Sequence, residues 1–132
     1  MEGQEGLSEF FGVLALGLFI AGNAYYPARQ LARRFTAWTQ ETARFFRKYL
    51  KVHMALNLGA LPALLGHAYF AEESNPILWA AFLSTFWLTG VGLMMHYKIP
   101  PGMGRQLRLL HSQQVVFVVW LVLILLGHML VV

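Results

Sequence analysis

The sequence contains no cysteine. That excludes disulfides, thiolate metal sites, iron–sulfur ligation and cysteine nucleophiles, and leaves the redox state of the compartment unread. Charge is scarce too. Asp, Glu, Lys and Arg make up 12% of residues, against a usual share of about 25%. No hydrolase triad, Gly-rich phosphate loop or nucleotide site stands out. The glycines of "GVG", Gly90 and Gly92, fall inside an apolar run rather than after a strand. A flavin or nicotinamide, if one takes part, belongs to another chain.

What the sequence does have is long uncharged runs. The chain has 132 residues, 58% of them hydrophobic, which leaves room for one domain. The runs show neither the 3.6-residue nor the 2-residue alternation of a soluble core. The hydrocarbon layer is roughly 30 Å thick, so a helix needs about 20 apolar residues to cross it. Four spans are predicted, at about 10–26, 48–70, 77–97 and 107–132. The second is most apolar from Val52 to Phe70. The expected fold is all-α: one four-transmembrane-helix up–down bundle, with a basic connector at 27–47.

The breaks between spans are well marked. "YYPARQ" closes the first with interfacial aromatic residues and a proline. "EESNP" separates the second and third, and Pro76 suits the first turn of a helix. "KIPPGMGR" separates the third and fourth, where a Pro-Pro-Gly run cannot continue a helix. A cleaved signal peptide is not expected. Glu2, Glu5 and Glu9 precede the first run where Lys or Arg would stand, and no small-residue cleavage site follows.

The basic residues predict orientation. Arg29, Arg33, Arg34, Arg44, Arg47, Lys48 and Lys51 lie between the first two spans; Lys98, Arg105 and Arg108 lie between the last two. Four spans put all ten on one side, opposite Glu2, Glu5, Glu9, Glu72 and Glu73. The positive-inside rule makes the basic loops cytoplasmic and both termini external. The expected location is the inner membrane of a prokaryotic-type cell. "ARQLARRF" and "ETARFFRKYLK" mix basic and aromatic residues at helical spacing. They read as a helix extension, as an amphipathic helix on anionic lipid, or as a docking surface for an acidic partner. Nucleic acid is not expected, because the charge sits where topology alone would put it.

All five histidines lie in or beside spans two to four. Imidazole in hydrocarbon is costly, so each is a candidate functional group. His53 and His67 are fourteen positions apart, which on a helix gives about 21 Å of rise and an offset of only about 40°. His53, His96 and His111 fall near the cytoplasmic boundary, and His67 and His128 near the outer one. Two imidazole pairs bridging spans two and four would suit two stacked haems, whose iron accepts axial nitrogen ligands. Gly59, Gly66, Gly90, Gly92 and Gly127 would give a ring or a neighbouring helix close approach.

In these features the chain resembles the membrane di-haem cytochromes b, including the ferric-reductase-like proteins. Two histidines with thirteen residues between them on one helix of a four-helix core carry the resemblance, together with "HYKIPPGMGRQLRLLH" entering a helix that opens and closes with histidine. It covers residues 48–132. It implies two bis-histidine b-type haems and electron transfer across the membrane. One departure is plain. His111 and His128 are seventeen apart, an offset near 100° on a straight helix. The position fourteen before His128 holds Gln114, a poor haem ligand. Span four is distorted near its start, or Pro62 redirects span two, or His96 replaces His111 as the inner ligand.

The remaining polar residues suggest environment. Asn57 follows His53 by four and shares its face, where it would orient an imidazole or meet a haem edge. Gln113 and Gln114 in "HSQQ" would line a quinone pocket; hydrogen bonding between helices explains each of these polar residues as well and is the favoured reading. Lys51, Arg105 and Arg108 would pair with propionates or a partner protein. A zinc or copper site from His53, His96 and His111 is a further possibility. The expectation is an electron-transfer protein or oxidoreductase subunit, fed by quinol or a flavoprotein, in a larger complex or a homo-oligomer. Its rivals are a cofactor-free membrane anchor subunit and a small proton-coupled transporter.

Overall fold

The computed structural model describes residues 2–131. All regular structure among them is helical: α1 (Glu2–Asn23), α2 (Tyr25–Phe35), α3 (Gln40–Phe70), α4 (Pro76–Tyr97), α5 (Gly104–His111) and α6 (Gln114–Met129). Contacts divide the chain into two compact units, Met1–Ala71 and Glu72–Val132.

In the first unit α1 packs along α3. α3 starts at Thr39, whose hydroxyl accepts from the Thr42 N–H at 3.1 Å, satisfying one of the orphan donors of a helix N-terminus. It then runs 31 residues, unbroken through Pro62. The basic connector is thus largely helical, shared between α2 and the first turns of α3. The buried residues are few: Ala15, Phe19 and Gly22 on α1, with Phe46, Ala60 and Ala63 on α3.

In the second unit α4 packs against α5 and α6. Asn75 caps α4 by accepting from Leu78 N–H at 2.9 Å, and Pro76 takes the first helical position, as expected. Lys98 ends the helix in the left-handed region, at φ 55°. The turn "KIPPGMGR" follows as predicted. The fourth predicted span is two helices, α5 and α6, meeting at a 41° bend across Ser112 and Gln113.

Large apolar side chains face outward throughout. Phe10, Val13, Ile20, Leu83, Trp87, Val115 and Met129 are all more than half exposed, an arrangement that suits lipid rather than water. Two helical stretches are long and apolar enough to cross a membrane, Gly3–Phe35 and Pro76–Tyr97, and the bent α5–α6 pair makes a third if it is one span. The predicted second span falls short by this measure. His53, Asn57, Pro62 and His67 interrupt the apolar half of α3.

Candidate functional site: imidazoles held on backbone carbonyls

In the first unit the two histidines of α3 face the same neighbour. His53 Nδ1 lies 2.9 Å from the carbonyl oxygen of Gly22. His67 Nδ1 lies 2.9 Å from that of Ser8. Both acceptors are on α1, and they too are fourteen residues apart. Antiparallel α1 and α3 therefore present matched levels about 21 Å apart, at 1.5 Å per residue. Pro62 lies between the two histidines without spoiling this register.

A carbonyl oxygen can only accept, so Nδ1 must carry the proton in each contact. The neutral ring then keeps its lone pair on Nε2. This is how a backbone carbonyl fixes the tautomer and orientation of a ligating histidine.

Each ring has further neighbours. The Asn57 amide donates to the His53 carbonyl at 2.7 Å, with the same nitrogen 3.3 Å from Nδ1. The Asn57 oxygen accepts from Asn23 on α1 at 3.2 Å, so this asparagine ties His53's turn of α3 to α1. Tyr25 packs its ring 5.7 Å from that of His53. At the other level the Ser8 hydroxyl sits 3.3 Å from His67 Nδ1. Phe11 stacks on Phe70 nearby, with centroids 6.0 Å apart.

In the second unit His111 repeats the arrangement. It ends α5, and its Nδ1 lies 2.9 Å from the carbonyl oxygen of Leu88 on α4. Glycine recurs at the same place. Gly12 is four residues after Ser8, and a Cβ there would come 2.9 Å from His67 Nδ1; Gly92 is four after Leu88, and a Cβ there would come 3.0 Å from His111 Cε1. A helix carbonyl points toward the residue one turn on, so a side chain at that residue would block the imidazole. Gly22, the acceptor for His53, is itself crowded: a Cβ would meet the Asn57 amide at 2.8 Å.

His128 differs. It is exposed, and its Nδ1 lies 2.8 Å from the carbonyl of Ile124 in its own helix. Its tautomer is thereby fixed as in the others. Gly127 before it serves packing: a Cβ would come 2.6 Å from Leu78, and the Gly127 carbonyl accepts from Asn75 at 2.8 Å. Close by in the same unit, buried Trp120 donates to Thr85 Oγ at 2.8 Å, and Thr85 donates to the Ala81 carbonyl at 2.8 Å.

The other predicted residues are placed as follows. His96 is exposed, with its ring edge-on to Tyr97 at 5.0 Å. Gly66 lies under the Phe11 ring, whereas Gly59 and Gly90 border open space. Gln113 and Gln114 are exposed at the start of α6, and Lys51, Arg105 and Arg108 are exposed as well. Arg108 donates to the Gly104 carbonyl at 3.1 Å. Among the described residues, no three His, Asp or Glu side chains gather to hold a metal ion. A haem iron asks for only two such nitrogen ligands. The sequence reading missed Ser8, Gly12, Gly22 and Leu88. Ser8 and Gly22 repeat the histidine spacing on the first span, and that was the available signal.

No protein-family model, curated protein or solved structure matches the chain.

Proposed function

We propose that the chain is a four-span membrane cytochrome b, carrying electrons across the bilayer through two bis-histidine haems. The observation that supports it best is the common state of four imidazoles. His53, His67, His111 and His128 each hold Nδ1 on a backbone carbonyl, which directs the lone pair to Nε2. That is the donor form an axial haem ligand needs, and it is prepared by the chain's own backbone. These four would hold iron, two rings to each haem. Bound haem supplies reversible one-electron chemistry; the protein supplies ligation, orientation and a dry path.

In this reading α3 supplies the fourth crossing, and its polar groups are the cost of carrying the site. Asn57 and Asn23 fix the backbone beside His53. The basic loops face the cytoplasm and the termini the outside. The electron donor is quinol or a flavoprotein on another chain, within a larger complex or homo-oligomer.

A reduced-minus-oxidised visible spectrum of protein expressed with ample haem supply tests the proposal. Sharp low-spin b-type bands are expected. A colourless preparation leaves the anchor subunit or the proton-coupled transporter, and proteoliposome flux that follows pH without a redox reagent would select the transporter.

A further inference from the structure

The electron-transfer reading leaves the basic region beyond the first span unused. In α2 the residues divide cleanly. Ala28, Leu31, Ala32 and Phe35 recur at the helical spacing of one face, while Arg29, Gln30, Arg33 and Arg34 occupy the other. No residue of α2 is buried. Leu31 is 57% and Phe35 73% exposed, so the apolar face has little cover from the fold.

The loop after α2 brings a third apolar group. Trp38 stacks on buried Phe46 at 5.6 Å, and the Arg33 guanidinium lies over the Trp38 ring at 4.8 Å. Arg34 lies 5.7 Å from the Phe35 ring. Arginine and aromatic side chains are thus set side by side at the end of an apolar helix. Residues 27–51 carry seven cations and a single carboxylate, Glu41.

Height decides which partner fits. α1 and α2 together form one stretch apolar and long enough to span, Gly3–Phe35. From Tyr26, where the apolar run ends, Arg29 is about 5 Å along the helix, and Arg33 and Arg34 about 10–12 Å. A headgroup layer is roughly 5–8 Å deep on each side of the hydrocarbon, and arginine reaches back along its own stem. All three guanidinium groups therefore reach lipid phosphate. At this height the cations meet lipid phosphate before any soluble partner, and a lipid surface is the partner that fits.

We infer that α2 and the Trp38 loop form a binding surface for anionic lipid headgroups. Arg29, Arg33 and Arg34 take the phosphates, and Leu31, about 8 Å along the helix from Tyr26, meets the headgroup layer beside them. The inference is independent of any cofactor.

The test uses the full chain in nanodiscs of phosphatidylcholine with phosphatidylglycerol, and native mass spectrometry to count retained lipids. The wild type should retain phosphatidylglycerol preferentially. Combined Arg29→Gln, Arg33→Gln and Arg34→Gln should lower that preference by about fivefold for each arginine replaced. The matching lysine variants should keep most of it, which controls for folding. Leu31→Ser with Phe35→Ser keeps every charge and should leave a preference that high salt abolishes. An unchanged preference in the glutamine variant overturns the inference. So does binding of soluble poly-glutamate that depends on these arginines while lipid retention does not.

Discussion

His67 on α3 holds its Nδ1 2.9 Å from the carbonyl oxygen of Ser8 on α1, and Gly12, one turn further along α1, leaves the space that a methyl group would close. His111 and Leu88 repeat the relationship in the other unit, with Gly92 in the place of Gly12. In either ring Nδ1 is committed to a backbone carbonyl, which leaves the neutral ring's lone pair on Nε2. Most of what can be tested follows from that division.

Gly12→Ala and Gly92→Ala should each destabilise their unit by about 1–3 kcal/mol, the usual cost of overpacking a tight contact. Gly17→Ala and Gly90→Ala, where a Cβ meets nothing within 4 Å, should be neutral or stabilise by up to about 1 kcal/mol through helix propensity. Thermal unfolding of the four variants in detergent separates the pairs. Equal effects in all four would mean the glycines at the imidazoles have no special role.

Removing the His67 side chain should cost about one haem per chain, and removing that of His53 should cost the other. Haem content of His67→Ala and His53→Ala, measured against protein, checks this. Content unchanged in both would defeat the ligand assignment even if the wild type is coloured.

Thr85→Val leaves the buried indole N–H of Trp120 without its acceptor, a loss of about 1–3 kcal/mol. Trp120→Phe removes the donor while Thr85 keeps its bond to Ala81. A double-mutant cycle on unfolding free energy should show coupling of about 0.5–3 kcal/mol. Additive effects would place the stabilisation of the α4–α6 contact in apolar packing alone.

Much of the helical framework was legible. Pro76 behind Asn75, the prolines of "KIPPGMGR" and the length of the apolar runs each act locally, and local rules read directly from sequence. The fourteen-residue spacing of His53 and His67 was legible as a shared face for the same reason. The break at Ser112–Gln113 was harder. "HSQQVVF" has no proline or glycine, and the 41° bend places His111 on a separate short helix. The seventeen-residue interval to His128 hinted at a distortion without fixing it. The Leu88 acceptor was out of reach, because every residue has the same backbone carbonyl and only packing selects which one meets a ring; for Ser8 and Gly22 the repeated fourteen-residue spacing was the one signal. The span at 48–70 was drawn where the charge thins, and reading "ETARFFRKYLK" as a helix extension matches the earlier turns of α3, because charge stops a span and not a helix.

The most direct measurement is the number and spin state of haems per polypeptide in purified protein, from a pyridine haemochrome assay and low-temperature electron paramagnetic resonance. The account predicts two low-spin ferric haems per chain, each with the signature of two neutral imidazoles. Protein without haem, or haem that is high-spin throughout, would contradict it.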